Sequence, residues 1–254
     1  MKPGHAARAS GPKATAAAQV LHGVLPYLRS VQGKTFVVVC EGGVLADASL
    51  RAGLARDTAL LHLVGLDLVL VSGGAEARAV ARACEELVGT LNQQGCRAVG
   101  ITDNDGGADG PAGGLIQRLH AKGLLAVVMP LAKGHGAVGA DTLAVDIALR
   151  LHAEKLLFLG DAAGALGSDG QALSLLGRSE ADRRCREGTV AAASAERLRV
   201  AVDALDGGVR SVHIIDGRPP HALLLETLSR SGGGTLVVPD RAAGFLDDSR
   251  RYLG

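Results

Sequence analysis

LPYLRSVQGKTFVVVCEGG, residues 25–43, fixes the reading of the chain. Its centre, Thr35 to Cys40, is a short apolar run rich in valine, the signature of a strand covered on both faces. The strand ends on Glu41-Gly42-Gly43. Before it, Val20, Leu21, Val24, Leu25 and Leu28 recur at helical spacing, with Pro26 as a kink and Gly33 as the stop. After it, Asp47 is placed to cap a helix through Leu50, Leu54, Leu60 and Leu61 to Gly65. LDLVLV (66–71) then gives a second strand ending on Ser72-Gly73-Gly74.

The alternation continues to the end of the chain. Helices are predicted over 75–91, 115–122, 141–151, 180–187 and 195–205, with another after Pro219-Pro220. Strands are predicted at AVGI (98–101), LLAVVM (124–129), KLLFL (155–159), VHII (212–215) and TLVV (235–238). Such alternation is that of a wound α/β protein. A chain of 254 residues can bury a large core. Residues 1–17 read as a basic tail, because no acidic residue precedes Glu41, and residues 18–254 read as one domain. An organelle transit peptide is the minor alternative for the tail.

Composition excludes several classes of function. A formal charge of +1 and 2% aromatic residues leave neither a basic field nor stacking platforms, so no nucleic-acid partner is expected. No apolar run has the roughly 20 residues needed to span a bilayer, so no membrane is expected despite a mean hydropathy of +0.23. Cys40, Cys84, Cys96 and Cys185 have neither metal-ligand nor disulfide-framework spacing. That pattern predicts no metal site and a reducing, cytoplasmic location.

In parallel sheets ligands sit beyond the carboxyl ends of strands, where glycine allows backbone amides to approach a phosphate. Gly42, Gly43, Gly73, Gly74, Gly160 and Asp161 occupy such ends and are the candidate nucleotide-binding residues. The alternative is that these glycines serve turn geometry alone. Neither a dinucleotide-binding nor a P-loop motif occurs.

Taken with ARDTALLHLVGLDLVLVSGG (55–74), GADTLAVDIA (139–148), KLLFLGDAAGAL (155–166) and SVHIIDGRPPHALLLETL (211–228), the opening stretch resembles the acetylglutamate kinases of arginine biosynthesis. The resemblance runs in order over nearly all of the chain after Ala18. It implies the amino-acid kinase fold, a three-layer αβα sandwich with a mainly parallel central sheet. It also implies Mg-ATP as phosphoryl donor and the side-chain carboxylate of N-acetyl-L-glutamate as acceptor. Residues 18–32 would form an oligomerisation helix, 33–150 an acceptor-side lobe with Gly73, Gly74 and Gly139 at the acceptor, and 151–254 a nucleotide-side lobe. A homodimer, or a hexamer paired through the N-terminal helix with Leu21, Leu25 and Leu28 facing a partner, is the implied assembly.

The resemblance also exposes departures. Phosphoryl transfer between anions depends on positioned cations. The family's two catalytic lysines fall on Cys40 and Arg197, its organising aspartate falls on Asp141, and Ala137 and Gly139 replace two asparagines. The hairpin carrying the family's acceptor-gripping arginine is missing between Gly74 and Asn92. Ser231 replaces the acidic residue of its arginine-effector segment. Lys133 or His135 is the candidate substitute cation. Removing one transition-state donor costs roughly 10²–10³ in rate, so catalysis is expected to be weak or lost. The alternatives are a non-catalytic pseudokinase acting on an acetylglutamate kinase or synthase partner, and a kinase for another carboxylate or carbamate.

Overall fold

The computed structural model describes residues 23, 25, 26, 28–74, 76–105, 113–130, 137–228 and 233–245. Eight strands form one sheet: β1 (Thr35–Cys40), β2 (Asp67–Ser72), β3 (Ala98–Thr102), β4 (Leu125–Met129), β5 (Lys155–Gly160), β6 (Leu175–Gly177), β7 (Ser211–Asp216) and β8 (Thr235–Val238). Their order across the sheet is β3-β4-β2-β1-β5-β7-β8-β6, and every pairing is parallel except β7 with β8. β1 lies inside the sheet, paired with β2 on one side and β5 on the other. Phe36 stands opposite Lys155 and Cys40 opposite Leu159. The run TFVVVC therefore needs apolar side chains toward both faces.

Helices cover each face. α1 (Gly42–Ala46), α2 (Ala48–Leu63), α3 (Ala77–Gln93) and α8 (Ala222–Leu228) pack with Phe36, Val38, Cys40, Leu68, Leu70 and Leu157. α4 (Gly113–His120), α5 (Ala137–Arg150), α6 (Arg178–Glu187) and α7 (Ala192–Asp206) pack with Val37, Val39, Val69, Val71, Leu156 and Phe158. The result is the three-layer αβα sandwich with a mainly parallel sheet.

Local chemistry sets the boundaries. Asp47 caps α2, its carboxylate accepting from the Ser49 and Leu50 amides at 2.7 and 2.9 Å. Gly33, at φ +70°, ends the N-terminal helical stretch, whose last residue, Val31, is buried. Leu25 on that stretch is 40% exposed and Leu28 is half-buried, whereas Leu21 lies outside the described residues. Two elements differ from the sequence expectation. α1 occupies the glycine turn after β1, and β6 is a three-residue edge strand lacking a long apolar run to announce it. The helix expected from Asp141 starts at Ala137, so Asp141 sits in its second turn.

Candidate functional site

The pleat of β1 decides which side chains reach the candidate site. Successive residues point to opposite faces, so Cys40 shares a face with Phe36 and Val38, against α2, α3 and α8. Glu41 is the next residue after the strand. Cys40 is fully buried, and burial, followed by the neighbouring Glu41 charge, drives its thiol far above the ordinary range. It supplies neither a cation nor a thiolate.

Glu41 takes the central place. Its Oε1 accepts from Arg197 Nη2 at 2.5 Å, and Arg197 Nη1 lies 3.2 Å from Asp141 Oδ1, close enough for charge attraction but without hydrogen-bond geometry. The Arg197 guanidinium also stacks over the Phe158 ring, 4.3 Å from its centre. α7 delivers Arg197, α5 delivers Asp141, and the end of β1 delivers Glu41. Burial pushes the Asp141 carboxyl up to about 7, opposed by Arg197 and reinforced by the Glu41 and Glu196 charges.

The glycines make room for these carboxylates. A Cβ on Gly160 would lie 3.1 Å from Glu41 Oε2, and one on Gly73 would lie 3.2 Å from Glu41 Cγ. The Glu41 side chain thus fills the space between the ends of β2 and β5. Gly43 donates its amide to Asp161 Oδ2 at 3.3 Å, and a Cβ on it would meet Asp161 Oδ1 at 2.8 Å. An amide oriented to receive an anion has a carboxylate of the chain itself as partner. Beside this cluster a cavity of about 120 Å³ is bordered by Phe158, Ala162, Ala193, Ser194 and Ile214.

Of the residues singled out in the sequence, Asp141, Arg197, Gly43, Gly73, Gly160 and Asp161 therefore surround one cleft at the strand carboxyl ends. Gly42 enters it only at the edge, its added Cβ falling 3.4 Å from Asp161 Oδ2. Gly139 is buried in α5, two residues before Asp141, and Gly74 turns toward Val80. Cys40 stays on the opposite face. Lys133, His135 and Ser231 lie outside the described residues. Among the described residues, no group of three His, Cys, Asp or Glu side chains is placed to hold a metal ion.

The profile of the amino acid kinase family matches residues 27–216. The chain belongs to that family. Acetylglutamate kinases are among its relatives. The enzyme of Halorhodospira halophila is 33% identical, with 87% of this chain and 95% of that protein covered. That of Alkalilimnicola ehrlichii is 32% identical, with 88% and 94% covered. Two solved structures share the fold. The N-acetylglutamate synthase from Neisseria gonorrhoeae, complexed with coenzyme A and N-acetyl-glutamate, superposes with a TM-score of 0.74 at 22% identity over 88% of this chain and 63% of that one. Carbamate kinase from Giardia lamblia bound to AMP-PNP gives 0.61 at 16%, over 82% and 99%. Glu41 is the site residue that the sequence motifs do not single out. The alternation along β1 was the available signal: Cys40 has the same parity as Phe36 and Val38, and Glu41 has the other.

Proposed function

We propose that the chain is an acetylglutamate-kinase relative in which phosphoryl transfer is weak or lost and the fold is kept for binding. One observation carries this reading: the Glu41 carboxylate, clamped by Arg197, fills the gap between Gly73 and Gly160. A guanidinium already shared by Glu41 and Asp141 has little charge left for a transferring phosphoryl group, and the Glu41 charge repels it. Membership of a kinase family implies ATP as donor. Since Arg197 engages both Glu41 and Asp141, these carboxylates do not fit a protein-held Mg²⁺, and the metal ion would belong with the nucleotide's phosphates.

A binding role would be exercised on an acetylglutamate kinase or synthase, or on further copies of this chain. The exposure of Leu25 on the N-terminal helical stretch supports such a contact. The deciding experiment incubates purified protein with Mg-ATP and N-acetyl-L-glutamate and traps acyl phosphate as hydroxamate. Turnover should fall at least about 10³-fold below that of an acetylglutamate kinase. A rate within about tenfold of such an enzyme would overturn the reading.

A further inference from the structure

Away from the Arg197 cleft, and sharing none of its lining residues, a second cavity of about 130 Å³ opens between α2 and the turn from β7 to α8. Leu50, Leu54, Leu159 and Pro219 give it an apolar side, while Ser49, Arg56, Asp57, Arg218 and His221 bring polar groups to it. His221 adopts left-handed backbone geometry, φ +62°, which non-glycine residues avoid unless the surroundings hold them there. What holds it is Asp57. That carboxylate is 3% exposed and engages His221 Nδ1 at 2.8 Å, across 164 residues of sequence. With Nδ1 engaged, the ring's other nitrogen is turned away from Asp57. The imidazole itself remains 59% exposed.

Gly53 completes the arrangement. It lies in α2, one turn before Asp57, and its missing side chain leaves space at the cavity wall. A Cβ there would meet only the Arg56 guanidinium, at 4.0 Å. An imidazole oriented by a buried carboxylate, a neighbouring guanidinium and apolar walls in one small cavity form a recognition site for a molecule with one charged end and one apolar end.

We propose that this cavity binds a small carboxylic acid, its carboxylate received by Arg56 and His221 and its hydrocarbon part by Leu50, Leu54 and Pro219. The guanidinium donates to a carboxylate, and the imidazole, with Nδ1 on Asp57, donates from Nε2 when it carries both protons, so the two together match a carboxylate in charge and in hydrogen-bonding sense. The volume limits the ligand to a short chain, and a bare anion would leave the apolar walls uncovered.

The test uses the full chain and 4-methylpentanoate as probe, with 4-methylpentan-1-ol and inorganic phosphate as comparisons. Calorimetry should give a Kd of about 1 mM for the carboxylate, with the His221 ring resonances shifting along the same saturation curve. Arg56→Ala should weaken binding at least about tenfold. Gly53→Leu, which places a side chain in the cavity from a position open to a Cβ, should abolish binding while circular dichroism and the melting temperature stay those of a folded protein. Equal binding of the alcohol would overturn the proposal in favour of an apolar crevice, and equal binding of phosphate would overturn the carboxylate assignment. Unmoved His221 resonances, or full affinity in Arg56→Ala, would remove the site itself.

Discussion

At the carboxyl ends of β1 and β5 one guanidinium serves two carboxylates, whereas toward the amino ends of β5 and β7 the half-buried Lys155 lies near a buried pair, His213 and Glu226. In the second cluster His213 Nδ1 meets Glu226 Oε1 at 2.5 Å, Ser211 Oγ lies 3.1 Å from His213 Nε2, and the Lys155 ammonium sits 5.3 Å over the Phe36 ring. Burial pushes both His213 and Lys155 below their ordinary ranges, against the pull of the Glu226 charge. Around Arg197, by contrast, Gly43, Gly73 and Gly160 leave space, and carboxylates of the chain enter it. One end of the sheet is packed shut around its polar groups. The other keeps the vacant geometry of a ligand site and fills it from within.

The comparison breaks most visibly at Arg197. Arg197→Met leaves Glu41 and Asp141 without their shared cation and should cost about 4 kcal/mol, read from urea unfolding. At the other end, Glu226→Ala removes the partner of a buried imidazole and should cost about 2 kcal/mol. If both variants cost the same, the two clusters do not differ in the way described.

Asp141 sharpens the contrast through pH. Its folded-state pKa is raised from 3.8 to about 7, so the native state holds the proton more tightly than the unfolded chain. That contribution is fully present below the lower value, is lost as pH rises toward the upper one, and is flat beyond it. Wild-type stability should therefore carry a decline between the two that Asp141→Asn lacks, measured as urea midpoints at about pH 5 and about pH 8. The smallest effect lies outside both clusters: Gly53→Ala, with open space for its Cβ, should stabilise α2 by about 1 kcal/mol in thermal unfolding.

Much of the architecture was legible because it depends on local pattern. β1 announces itself through Val37, Val38 and Val39, and α2 through Asp47. α1 and β6 were not legible. The first begins on two glycines, which favour turns, and the second has three residues stabilised by pairing with β8. The site divides in the same way. Asp141 and Arg197 could be nominated from motif order, but their meeting at Glu41 depends on α5 and α7 lying on one face of the sheet. The pairing of Asp57 with His221 joins positions 164 residues apart, and no local pattern encodes that distance.

The ladder between β1 and β5 has a mechanical consequence. Five residues of each strand are paired, from Phe36 with Lys155 to Cys40 with Leu159, so the two halves of the chain share a continuous backbone seam. No hinge can run between them without unzipping it. Opening motions must then arise in turns and helices riding on a stiff plate, and the amides of Val37 to Val39 should be among the last in the molecule to exchange with solvent deuterium.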